Sequence, residues 1–316
     1  MKTPVFTDIL EAHRRTETNI RRTAVVQSPS INRLFKAELF FKCEHQQRAG
    51  AFKFRGASNA VLSLAEAEAR KGVATHSSGN HAAALALAAS MRGIPSYIVM
   101  PSSAPEIKVK TVKGFGGQIT FCEPTLEARE TTLEEVVAKT GATFIHPYNN
   151  FEVICGQGTA AIELIEETGT LDVVMTPVGG GGLQSGTAIS VKHLLSGCQV
   201  IAGEPAMADD ACRSLKAGYI IPSTYPDTIA DGLRTSLGEL PFVIIQKMVD
   251  DILTASEDSI KAAMVLLRNH AGILAEPSSA VPLAAVMENR SFFEGKRIGI
   301  IISGGNLNPE KYAFLK

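Results

Sequence analysis

Three observations predict an α/β protein built mainly on parallel sheet. Apolar runs alternate with helix-compatible stretches along most of the 316 residues. Small polar or glycine-only turns stand between a run and the helix after it, at residues 77–79 and 179–182. The run 298–302 is continuously apolar, as expected of a strand covered on both faces.

Taken in order, residues 39–43 read as a strand and 52–64 as a helix. Residues 72–76 make a strand, and 80–91 an alanine-rich helix stopped by Gly93 and Pro95. A strand at 97–100 closes on Pro101; 108–113 is helical, 119–122 a strand, 126–139 a helix and 143–146 a strand. That block alternates by itself and would make a small four-stranded domain. Pro147, Tyr148, Asn149 and Asn150 then form a polar turn suited to a hinge. Beyond it come helix 159–167, strand 173–177, helix 183–195 and strand 200–203. A loop-rich stretch carries Pro222 and Pro226. Ser256 caps a helix to about His270, Pro277 opens another reaching Glu288, and 297–302 is the final strand.

A chain this long lies where single cores begin to divide into two domains. Apolar residues at 45% against 20% charged exclude a disordered chain. A net charge of -1 gives no electrostatic reason to expect nucleic acid or an anionic membrane as partner. Residues 1–16 carry Asp8, Glu11, Arg14 and Arg15, so no signal peptide is expected, and no apolar run reaches the length of a membrane span. Cys43, Cys122, Cys155, Cys198 and Cys212 are scattered without a C-x-x-C pair and read as reduced thiols of a cytoplasmic protein.

Chemistry concentrates in a few places. Lys53 stands in the apolar, glycine-flanked stretch 49–56, and a lysine amine becomes a covalent catalyst when its surroundings depress its pKa. A solvated lysine opening a helix is the plain alternative. Gly179, Gly180, Gly181 and Gly182 leave bare amides at a helix start, which makes a phosphate nest or a tight packing turn. Their spacing is neither a dinucleotide fingerprint nor a nucleotide P-loop. Ser77, Ser78 and Asn80 could hold a small carboxylate or simply cap a helix. Ser303 ends the last strand and would face a cleft at the carboxyl ends of the strands. Glu204, Asp209 and Asp210 gather in one turn, either as solvated acids or around a hard divalent cation. His76, His146 and His193 lack the clustering of zinc ligands and read as structural.

This set resembles the fold-type II pyridoxal 5'-phosphate enzymes, in the branch of serine racemases, serine/threonine dehydratases and 3-hydroxyaspartate dehydratases. The likeness runs from about Phe6 to Asn306. It implies a tryptophan synthase β-like fold of two three-layer α/β domains with the cofactor in the cleft between them. Residues 1–66 and 151–316 would form the large domain and 67–150 a small mobile one, in a homodimer. Carried across, Lys53 is the lysine that bonds the cofactor's aldehyde, Phe52 packs by its ring, and Asn80 meets its 3'-oxygen. The amides of Gly179, Gly180, Gly181, Gly182 and Leu183 cradle its phosphate, and Ser303 faces its pyridine nitrogen. Ser77, Asn80 and His81 surround the substrate carboxylate. Glu204, the carbonyl of Ala208 and Asp210 match a Mg²⁺ (or Ca²⁺/Mn²⁺) site.

The implied reaction is dehydration followed by loss of ammonia from a small β-hydroxy amino acid, 3-hydroxyaspartate or L-serine/L-threonine. The alternative is a serine racemase with side dehydratase activity. Ser78 would lie on the face opposite Lys53, which permits inversion at Cα. Arg129 matches an arginine directed at the substrate pocket, where its guanidinium would clasp a β-carboxylate; otherwise it is a helix-surface arginine paired with a neighbouring glutamate. Tyr148 stands where racemases carry asparagine and so favours elimination. A non-catalytic ligand-binding protein on the same fold is opposed by Lys53 together with Ser78, and a β-replacement synthase by the loop 75–81. No regulatory domain of the biosynthetic threonine-deaminase kind is expected after Asn306.

Overall fold

A computed structural model describes residues 2–315. Among them, ten strands run in chain order: β1 (Val25–Val26), β2 (Glu38–Lys42), β3 (Val73–His76), β4 (Ser96–Pro101), β5 (Gln118–Cys122), β6 (Thr143–Phe144), β7 (Val173–Pro177), β8 (Gln199–Pro205), β9 (Asp251–Ala255) and β10 (Arg297–Ile301). Six form one sheet in the order β1-β2-β10-β7-β8-β9, and four form another in the order β5-β4-β3-β6. Every pairing is parallel except the short β1–β2 edge. The architecture is α/β, as the alternation of runs and helices predicts.

The larger sheet is buried on both faces because its strands carry apolar residues at consecutive positions. Leu39, Phe41, Val173, Met175, Ile298 and Ile300 join one core, whereas Phe40, Val174 and Ile301 join the core on the other side. The smaller sheet is inserted between β2 and β7. Val73, Ile98 and Met100 face one layer there, and Ala74 and Val99 the other.

Helices Lys53–Ser63 and Phe151–Thr168 carry the chain out to the smaller sheet and back. They lie unusually close. A Cβ on Gly156 would sit 2.6 Å from the Arg55 carbonyl oxygen, and one on Gly186 would sit 2.4 Å from the Ile154 carbonyl oxygen. Glycines therefore dock the Lys53 helix and the helix Gly182–Leu194 onto the same central helix. The two loops that open those helices are fixed relative to each other.

Several expectations are corrected here. The helix expected at 159–167 starts at Phe151, capped by the Asn150 side chain, which accepts from the Val153 amide at 3.0 Å. Residues 147–150 are thus a turn running straight into a helix. The stretch read as loop-rich after residue 203 holds helices Asp210–Ala217 and Glu239–Met248 and strand β9. An amphipathic N-terminal helix, Phe6–Thr16, was also unforeseen.

Candidate active site

Lys53 is the first residue of its helix, and the backbone ahead of it is tied to the end of β10. The Phe52 amide donates to the Ser303 carbonyl at 2.9 Å, and Ala51 bridges Gly304. The Lys53 Nζ donates to the Pro147 carbonyl at 2.8 Å and lies 5.1 Å from the centre of the Phe52 ring. Burial pushes its pKa down to about 8, against the opposing pull of the Glu276 carboxylate. This is a lysine held close to its neutral, nucleophilic form.

The glycine turn leads into helix Gly182–Leu194, whose first amides have no intrahelical acceptor and carry the positive end of the dipole. Gly181 holds φ +86°, a left-handed conformation that favours glycine. A Cβ on Gly180 would strike the Tyr148 ring at 2.3 Å, so this turn is bare on the side where Tyr148 stands over it. The Tyr148 hydroxyl pairs with Thr235 Oγ1 at 2.9 Å. Bare amides at a helix start suit an anionic group, and a buried amine suits an aldehyde.

Strand β3 ends at His76, and the turn Ser77–Ser78–Gly79 opens helix Asn80–Arg92. Ser77 Oγ accepts the Gly79 amide at 3.3 Å, and a Cβ on Gly79 would meet open space. Asn80 Nδ2 donates to both oxygens of Glu276, at 3.0 and 3.1 Å, while its Oδ1 accepts from Asn306 at 2.9 Å. The His81 ring points inward: Nε2 meets the Ile145 carbonyl at 3.1 Å, and burial pushes its pKa down to about 3. What His81 presents to the turn is its backbone amide. Ser303 is buried, with its hydroxyl 2.8 Å from that of Ser279.

Arg129 is half-buried on helix Leu126–Thr140, where its Nε donates to the Thr125 carbonyl at 3.2 Å. It makes no ion pair among the described residues, so the paired surface arginine is not what is found. Its positive charge reaches His76 and Tyr148.

Some distance along β8, Glu204 is buried and accepts the Ala211 and Cys212 amides at 2.8 Å each. Asp210 accepts the Leu237 amide at 3.0 Å through one oxygen, and its other, buried oxygen has no partner. Burial pushes Glu204 up to about 8 and Asp210 up to about 6. Ala208 closes the turn between them. Among the described residues, no three His, Cys, Asp or Glu side chains gather as a metal cluster.

Sequence reasoning missed Glu276 and Thr235. Glu276 had one local signal, its place immediately before the proline that opens helix Pro277–Glu288. All five cysteines are free thiols, and no helix is long and apolar enough to cross a membrane.

Residues 16–304 match the family described as pyridoxal-phosphate dependent enzyme. The chain is 51% identical over 311 residues to a β-hydroxyaspartate dehydratase of Paracoccus denitrificans, covering 98% of this chain and 99% of that one. It is 47% identical to a serine racemase of Dictyostelium discoideum, covering 98% and 96% of the two chains. The crystal structure of the Dictyostelium serine racemase superimposes with a TM-score of 0.93 at 46% identity, over 97% of this chain and 100% of that one.

Proposed function

We propose, from the premise that this chain belongs to the family of pyridoxal-phosphate dependent enzymes, that it removes the α-proton of a small β-hydroxy amino acid. A second proton is then delivered to the opposite face of Cα from the group that stands there, or the β-hydroxyl takes up a proton and leaves as water. The observation that carries this reading is the Lys53 amine, depressed to about 8 and set between the Phe52 ring and the end of β10. In this reading Lys53 is the residue whose Nζ would bond the cofactor's aldehyde, and its free amine would take the α-proton of the substrate. The bound cofactor supplies the electron sink for the pair left on Cα. The amides of Gly179 to Leu183 hold its phosphate, Asn80 its ring oxygen, and Ser303 faces its ring nitrogen. Ser77, Ser78 and the Asn80 and His81 amides receive the substrate carboxylate.

Of the two activities expected from sequence, the comparisons back racemisation of serine, with dehydration beside it, better than dehydration alone. Ser78 is the group that would serve the face opposite Lys53. Its replacement by alanine is expected to slow interconversion of L- and D-serine by about 10²-fold or more while 2-oxo acid formation persists. Chiral amino-acid analysis and 2-oxo acid detection on one reaction mixture measure both, and inversion at the wild-type rate in the variant would sink the two-face account. A second reading, elimination from 3-hydroxyaspartate, is supported by the Arg129 guanidinium, which makes no ion pair among the described residues and whose charge acts on His76 and Tyr148. A guanidinium there suits a second carboxylate.

A divalent cation (Mg²⁺, Ca²⁺ or Mn²⁺) would fit Glu204, the Ala208 carbonyl and Asp210, because hard cations prefer oxygens and one Asp210 oxygen is buried without a partner. Saturating Mg²⁺ or Ca²⁺ is expected to raise the thermal midpoint by roughly 5 °C or more. The Asp210→Asn protein should show no such rise in the same melt. In this reading the enzyme works as a cytoplasmic homodimer whose smaller sheet, with the segment 67–150, moves onto substrate.

A further inference from the structure

The turn 147–149 touches several parts of the site. Its Pro147 carbonyl receives the Lys53 amine at 2.8 Å. Its Tyr148 ring stands over Gly180, and the Tyr148 backbone and Cβ lie 3.1 Å from where a Cβ on Gly182 would be. Its Asn149 Oδ1 accepts the Leu240 amide at 2.9 Å. Besides the bonds of Tyr148 to Thr235 and of Asn149 to Leu240, the turn is tied at its main chain to the ring of His146.

His146 Nδ1 accepts two main-chain amides, from Tyr148 at 3.3 Å and from Asn149 at 2.9 Å. A nitrogen that accepts carries no proton, so the imidazole is neutral with its hydrogen on Nε2. The ring also packs edge-on against Tyr148, with centroids 4.5 Å apart, and against His76 at 6.1 Å. Phe144 closes a third side at 5.6 Å. Burial, and then the charges of His76 and Lys53, push its pKa down to about 4, so the acceptor form persists through the neutral range.

We infer that His146 is a positioning residue: through its Nδ1 it fixes the turn that holds the Lys53 amine and sets Tyr148 over the glycine cradle. The inference rests on the reading of Lys53 given above, and it adds a histidine that acts on Lys53 through the turn. Two properties of the ring could matter, its volume and its acceptor nitrogen. A crossed pair of variants separates them. His146→Phe keeps a ring and loses the acceptor, whereas His146→Asn loses the ring and keeps an acceptor oxygen near the place of Nδ1.

The test uses apoprotein, with the pH midpoint of Lys53 acetylation read on its peptide by mass spectrometry, and the affinity for added pyridoxal phosphate read by absorbance. If the turn is held by Nδ1, His146→Phe lets water reach the amine. Its labelling midpoint should rise by about one pH unit, and cofactor affinity should fall by about tenfold or more. His146→Asn should stay close to wild type in both. The opposite order, with the phenylalanine variant intact and the asparagine variant damaged, would mean that ring packing alone matters and would overturn the inference. So would two variants both like wild type. Should His146→Phe not fold by circular dichroism, His146→Leu takes its place with the same expected shifts. The underlying reading fails separately: borohydride reduction of the wild-type holoprotein would then leave no cofactor on the Lys53 peptide, while the labelling midpoints still judge His146.

Discussion

Replacing Lys53 with alanine is expected to lower kcat by about 10³-fold or more for both racemisation and elimination, because in the proposed mechanism one amine would serve both steps. The chemistry requires a group that is neutral at working pH and close to the reacting carbon. Burial has moved the Lys53 pKa down to about 8, which leaves a useful neutral fraction near pH 7–8 where an ordinary lysine would have almost none. The sign follows from the direction of the shift: raising the pH through that value increases the neutral amine. In the alanine protein, pyridoxal phosphate can still meet the glycine cradle, but no covalent attachment can follow. Borohydride reduction and peptide mapping should place the cofactor on the Lys53 peptide of the wild type and on no peptide of the variant. The fold should be unaffected, since the amine makes a single hydrogen bond, to Pro147. A variant that keeps even a tenth of wild-type turnover would remove Lys53 from the centre of the reaction.

What could be read from the chain divides along a physical line. Apolar runs and their stops are local, so the helix Asn80–Arg92, with Gly93 at φ +74° as its stop, and strand β10 were legible within a residue or two. The start of helix Phe151–Thr168 was not, because Gly156 and Gly158 look like breakers in sequence. Their purpose lies in other segments, where the Arg55 and Gly186 backbones press against them. Helix Glu239–Met248 was hidden for a similar reason: Pro241 falls in its first turn, where a proline is tolerated, yet it reads as more of the proline-rich loop. At the site, the residues that offer bare amides or a lone amine could be named in advance, because glycine runs and an isolated lysine are visible as such. Glu276 could not be named. Its meaning is the pair of bonds from Asn80, 196 residues away. Tyr148 was read as part of a polar turn, standing where racemases carry asparagine, and only the folded chain shows its ring against Gly180.

The largest stability effect is expected at Arg55, two residues beyond Lys53. Its side chain is wholly buried and bonded in every direction. Nε and Nη2 reach the two oxygens of Glu44 at 2.7 Å each, and Nη1 and Nη2 reach those of Glu163 at 2.8 and 2.7 Å. Lys42 adds a second cation, 2.6 Å from Glu163. The cluster therefore holds two positive and two negative charges, and it is neutral as a whole. Burial alone would push the Glu163 carboxyl up, but Arg55 and Lys42 hold it below the usual carboxylate range. Its contribution to stability is thus present above the ordinary carboxylate pKa and is lost as pH falls through the lower folded value.

Arg55→Met keeps much of the side-chain volume and removes one positive charge, stranding a carboxylate with no water to solvate it. Breaking a buried pair in this way costs about 3–5 kcal/mol, or roughly 10 °C in thermal midpoint for a protein of this size. Adding Glu44→Gln restores neutrality, since Lys42 and Glu163 then remain as a pair. The double variant should accordingly melt above Arg55→Met, against the expectation of simple additivity. Differential scanning fluorimetry on the wild type, both single variants and the double variant completes the cycle. A double variant that melts no higher than Arg55→Met would mean that lost packing, not stranded charge, is what the arginine prevents. The same helix begins at Lys53, so the cluster also decides how firmly the amine is held on the sheet.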